Sequence, residues 1–139
     1  MLFMYLSGMN PILYTPFGSI TVNELDPVKH KTVSPYSLYV REVVKLTNQN
    51  PLIKALPNYS RRGVAKRKGY AIDHIIPLSY GFANSIDPDI MSHILNLQCI
   101  TWQANTQKGC KVPDNVSELL TRVRIAIRQE HIEAIAKRM

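Results

Sequence analysis

Asp73 and His74 stand side by side at the end of the short apolar run Tyr70-Ala71-Ile72, a carboxylate next to an imidazole. Asn96 opens a second apolar run, Leu97-Gln98-Cys99-Ile100, and Asn105 lies in the segment 101–108 that ends on Gly109. The three pieces read as strand, strand and short helix, with Thr101 as N-cap and Gly109 as the C′ residue. A ββα unit of this order brings Asp73 and Asn105 together and leaves His74 facing out beside them. Such a set suits metal-assisted phosphodiester hydrolysis. A hard divalent cation takes oxygen ligands and keeps several waters, so one carboxylate and one amide oxygen suffice as protein anchors. The metal neutralises charge on the scissile phosphate and stabilises the leaving oxygen. An imidazole, with a reference pKa of about 6.5, can take the proton of the attacking water. Its other ring nitrogen needs an acceptor, a task suited to Asn96 or its backbone.

The run Asp73-His74-Ile75-Ile76-Pro77-Leu78-Ser79, followed by Asn96-Leu97-Gln98 and by Asn105 with Lys108-Gly109, resembles the HNH endonucleases, the ββα-metal nuclease family. The resemblance implies that His74 is the general base and that Asp73 and Asn105 are the metal ligands. It implies that Asn96 is the middle asparagine, bracing the loop that carries the histidine. The last letter of the motif is asparagine here instead of histidine, a variant that many members share. Many relatives also carry two CxxC pairs around a structural zinc. The second pair would fall on Thr101 and Ala104, so no structural zinc is expected, and the expected cofactor is Mg²⁺ or Mn²⁺. The detailed match covers about forty of the 139 residues.

The elements that must position these residues are spread over a chain long enough for one domain with an appended arm. A net charge of +7 and a pI near 9.6 favour an anionic partner, nucleic acid ahead of membrane. Two cysteines give neither a metal framework nor a disulfide scaffold; Cys99, in an apolar run, reads as a buried thiol in a reducing cytoplasm. The apolar start, residues 1–6, is too short to span a membrane and lacks the basic flank of a signal peptide. The partner expected is DNA, most simply double-stranded, bound by a monomer or homodimer in the cytoplasm.

Upstream of the motif, Ile12-Leu13-Tyr14 and Ser19-Ile20-Thr21-Val22 flank Pro16-Phe17-Gly18 and read as a hairpin. Residues 26–35 form a polar connector, with His30 in solvent. Residues 36–47 read as an amphipathic helix with Leu38, Tyr39, Val43, Val44 and Leu46 apolar, ended by Asn48-Gln49-Asn50-Pro51. Leu52–Leu56 reads as a further helical turn. The run 58–69 carries Arg61, Arg62, Lys66, Arg67 and Lys68, either a solvated loop or, placed before the catalytic strand, a contact for phosphates flanking the cut. Lys108 reads equally as a phosphate contact or as a cation at a helix C-terminus.

Between the halves of the motif, residues 79–93 read as a long loop, with Asp87 and Asp89 as turn and cap residues and Ile90–Leu95 as a helical turn. His93 is a rival to His74, and local hydrogen bonding is its more ordinary use. Trp102 and Tyr70 read as motif core. Residues 115–139 read as a long helix with Val116, Leu119, Leu120, Val123, Ile127 and Ala134 on one face and basic residues opposite. That helix is either a clasp over the core or a surface for DNA or a second copy.

The expected architecture is α+β: an N-terminal hairpin or arm over 1–35, a ββα-metal nuclease core over 36–110 and a C-terminal amphipathic helix over 111–139. The expected activity is metal-dependent DNA hydrolysis by a small phage or mobile-element enzyme of homing type. The alternatives are a nucleic-acid-binding module of the same fold without cleavage, or a nuclease, including a toxin nuclease, acting on RNA.

Overall fold

The computed structural model describes residues 32–63 and 69–139 in full, and the backbone of 2–4, 12–15 and 18–21. The chain is α+β and divides into two compact units, Met1–Leu38 and Tyr39–Met139.

In the first unit, strands β1 (Leu2–Met4), β2 (Ile12–Thr15) and β3 (Gly18–Thr21) form an antiparallel sheet in that order. The β2–β3 pair, in register Thr15 with Gly18, is the hairpin anticipated from the two short β-like runs. β1 was not anticipated: its apolar residues pair with β2, Phe3 opposite Leu13. His30 lies outside the described residues.

Helix α1 (Pro35–Gln49) starts where Ser34 Oγ accepts the Ser37 N–H at 3.1 Å. Its buried side chains Tyr39, Val43 and Thr47 follow one another at four-residue spacing, while Val44 is exposed. Asn50 ends the helix and restarts the chain, its side chain accepting from Leu52 N at the head of a 3₁₀ turn, Pro51–Ala55.

In the second unit, β4 (Tyr70–His74) pairs antiparallel with β5 (Leu97–Thr101), from Tyr70 opposite Thr101 to His74 opposite Leu97. Helix α4 (Trp102–Lys108) follows β5 directly. The stretch 79–93, expected as a long loop, is instead mostly helical, with α2 (Leu78–Ala83) and α3 (Pro88–Met91). The helical turn expected at Ile90–Leu95 is present as the end of α3 and a 3₁₀ turn, Ile94–Asn96. Pro77 and Pro88 explain the difference. They stand at the cap and first turn of these helices, where a fixed φ and a missing N–H cost nothing.

Ile86 and Met91 from this stretch, with Ile76 just before it, join Tyr39 and Val43 of α1 and Leu119, Leu120 and Val123 of α5 (Val116–Arg138) in one core. Tyr39 donates its hydroxyl to the Ile86 carbonyl at 2.7 Å. Gly81 of α2 lies so close that an added Cβ would stand 2.5 Å from Tyr39 Oη and 2.9 Å from Met91 Sδ. Ala134 is exposed, so the buried face of α5 stops short of the apolar stripe read from the sequence. Among the described residues no helix is long and apolar enough to cross a membrane.

Candidate functional site

Strand alternation sends Asp73 and His74 to opposite faces of β4. Asp73 is buried and sits opposite Gln98 in the pairing register, and Gln98 Nε2 donates to its Oδ2 at 2.8 Å. The Lys108 ammonium, at the far end of α4, lies 3.2 Å from Asp73 Oδ2 and 3.4 Å from Oδ1, and donates to the His74 carbonyl at 2.9 Å. Two features aim α4 this way. The Thr101 hydroxyl accepts the Ala104 N–H at its start. Gly109 ends it at φ +55°, a conformation that disfavours any side chain.

Asn105 lies one turn before Lys108, on the half-buried side of α4 with Ala104. Its side-chain amide makes no hydrogen bond among the described residues. The partners on the Asp73 carboxylate are thus Lys108 and Gln98. Lys108, in the last turn of α4, has Asp73 as its ion-pair partner.

His74 does not face out beside Asp73 as the sequence suggested. It is half-buried, with Nε2 2.9 Å from the hydroxyl of Thr47 on α1. Burial lowers its pKa to about 4, the Asp73 carboxylate opposing that shift and the Lys108 ammonium adding to it. The ring is neutral at physiological pH.

Asn96 is almost fully buried and holds the turn that follows His74. Its backbone carbonyl accepts the Ile75 N–H at 2.8 Å and its Oδ1 the Ile76 N–H at 2.9 Å. Its Nδ2 donates to the Met91 carbonyl at 2.8 Å. Asn96 therefore stitches β4 to the segment before β5. The contact on the imidazole that the sequence assigned to Asn96 or its backbone belongs instead to Thr47.

Thr47 is the site residue that sequence reasoning missed. The signal was a hydroxyl four residues after Val43 and eight after Tyr39, on the buried stripe of α1. His93 uses both ring nitrogens locally: Nδ1 accepts the Leu95 N–H at 3.2 Å and Nε2 meets Glu130 Oε1 of α5 at 3.0 Å.

Arg61 and Arg62 are exposed, their guanidinium carbons 5.9 Å from the Tyr70 ring centre and 4.4 Å from that of Tyr59. A backbone bridge of Arg62 with Tyr70 and a bond from Gly63 N to the Tyr70 carbonyl set them along the start of β4. Lys66, Arg67 and Lys68 lie outside the described residues. Trp102, expected in the motif core, is half exposed at the head of α4. Among the described residues no group of three or more His, Cys, Asp or Glu converges as a metal cage.

Compared with known proteins, the chain matches no family model, and neither curated proteins nor solved structures yield a significant match.

Proposed function

We propose that this chain is a metal-dependent endonuclease of the HNH, ββα-metal type, hydrolysing phosphodiester bonds in DNA. The observation that carries the reading is the junction of β4, β5 and α4. Asp73 and His74 end the first strand, Asn96 ties down the next two residues, and Lys108 reaches back from the helix to Asp73 and His74.

The donor set fits a hard divalent ion. Asp73 supplies a carboxylate, and Asn105 supplies an amide oxygen from the side of α4 that carries Lys108. The ion, Mg²⁺ or Mn²⁺, would neutralise charge on the scissile phosphate and stabilise the leaving oxygen. The Lys108 ammonium would release the Asp73 carboxylate and become a free cation beside the phosphate. His74, neutral because it is buried, takes the proton of the attacking water. Asn96 fixes the backbone at Ile75 and Ile76, and so the end of β4 from which His74 projects. Arg61 and Arg62 bind flanking phosphates from the start of β4, with Lys66, Arg67 and Lys68 following them in the chain.

One observation favours a second reading, a nucleic-acid-binding module without cleavage: the Lys108 ammonium stands 3.2 Å from Asp73 Oδ2, on the carboxylate a metal would need. Cleavage of supercoiled plasmid with Mg²⁺, Mn²⁺ or EDTA, wild type beside His74→Ala, separates the two. The nuclease reading expects metal-dependent nicking that falls by about two to four orders of magnitude in the variant. DNA retained in a gel shift without cleavage under either metal supports the binding module. An RNA substrate of the same sequence tests the choice of nucleic acid.

A further inference from the structure

Thr47 and His74 are 27 residues apart in sequence, yet their polar atoms lie 2.9 Å apart in a part of the molecule where water has little access. Thr47 is 3% exposed, and its Oγ1 also lies 2.8 Å from the carbonyl of Val43, one turn back in the same helix. A carbonyl oxygen has only lone pairs to offer, and a hydroxyl has a single hydrogen. That hydrogen must point at Val43. Turned toward His74, it would leave two oxygen lone pairs facing each other at hydrogen-bond distance with nothing between them. The Thr47 oxygen is therefore an acceptor toward the imidazole, and the hydrogen on that contact belongs to Nε2.

A neutral imidazole carries one proton on its two nitrogens. With Nε2 as donor, Nδ1 holds the lone pair, and Nδ1 has no partner among the described residues. We infer that Thr47 is a positioning residue that fixes His74 in the Nε2–H tautomer and so makes Nδ1 the atom that receives the proton from water. The opposite tautomer has N–H at Nδ1 and cannot act there as a base. Val43 is fully buried, so the chain from Val43 carbonyl to Thr47 hydroxyl to His74 ring is anchored in the core of the unit. The role of Nδ1 as proton acceptor rests on the nuclease reading; the tautomer does not.

The test is the ring nitrogen spectrum of His74 by long-range ¹H–¹⁵N correlation on the full chain, metal-free at neutral pH. His74→Gln identifies the signals. The wild type is expected to show a protonated, pyrrole-type Nε2 and an unprotonated, pyridine-type Nδ1. Thr47→Val, which keeps the shape and removes the acceptor, is expected to give a mixture of tautomers. It should also lower kcat for plasmid nicking by about tenfold to a hundredfold with KM little changed, the usual scale for losing a group that orients a functional histidine. Thr47→Ser, which keeps the hydroxyl, should restore both readouts. A wild-type ring protonated on Nδ1 overturns the inference without any variant, as do His74 signals that Thr47→Val leaves unmoved. The expected tautomer in a protein that cleaves neither DNA nor RNA would uphold Thr47 as the group that sets the ring and sink the nuclease reading alone.

Discussion

A histidine next to a carboxylate ordinarily becomes more basic, and His74 does the reverse. Asp73 lies on the opposite face of the strand, and its charge is largely answered by Lys108, so desolvation of the imidazolium outweighs the neighbouring anion. The consequence for stability has a definite sign. Unfolded, the ring takes up its proton near pH 6.5, whereas folded it does so near pH 4. Between those values the unfolded chain binds more protons, so the stabilisation is complete above pH 6.5 and is lost as pH falls toward 4. The size is about 3 kcal/mol, since each tenfold loss of proton affinity on folding is worth about 1.4 kcal/mol. Unfolding free energies of the metal-free protein from urea denaturation at pH 7 and pH 4.5 should therefore differ by much of that amount. His74→Gln should flatten the difference. A pH dependence unchanged in the variant would assign the acid sensitivity elsewhere.

At the scale of elements, β4, β5 and α4 are readable in the sequence because each carries a local signal: an apolar run, a capping threonine, and a glycine suited to φ +55° with ψ −130°. Residues 78–91 mislead for the opposite reason. Gly81 and Pro88 are turn signals by type, yet Gly81 is packed into α2 against Tyr39 and Met91, and Pro88 stands in the first turn of α3. The pairings of Thr47 with His74 and of Lys108 with Asp73 are equally out of reach, since they join elements whose mutual placement no local pattern encodes. The α4–β4 contact is open to test. Both side chains of the Lys108–Asp73 pair are less than one-fifth exposed, so Lys108→Met leaves a mostly buried carboxylate with Gln98 as its remaining partner. In EDTA this should cost about 2 kcal/mol, less than a fully buried broken pair because some solvent reaches both groups. Millimolar Mn²⁺ should then raise the melting temperature of the variant more than that of the wild type, because the ion no longer competes with an ammonium. Equal shifts in the two proteins would argue against Asp73 as a ligand.

For the molecule as a whole, α5 divides into two halves with different work to do. Leu119, Leu120 and Val123 lie in the core with Val43, Ile76 and Met91, so the first half closes the unit that holds the site. Beyond Ile127 every residue is exposed, Ile132 and Ile135 included, and Glu130 reaches back to His93 through a largely solvated carboxylate. Burial stabilises the first half, whereas the second gains little more than its own helical hydrogen bonds and one hydrogen bond between Glu130 and His93 worth about 1 kcal/mol. Deleting residues 130–139 should accordingly cost no more than about 1 kcal/mol in urea denaturation, against about 2–5 kcal/mol for Leu119→Ala. The truncation removes Lys137 and Arg138, so it also tests whether this end lies along nucleic acid. Phosphate contacts from both would make the salt dependence of DNA binding shallower by about two in logarithmic slope. An unchanged slope, with stability intact, would leave the outer half of α5 free for another surface. A loss of stability as large as that of Leu119→Ala would mean that the whole helix, and not its first half, holds the core.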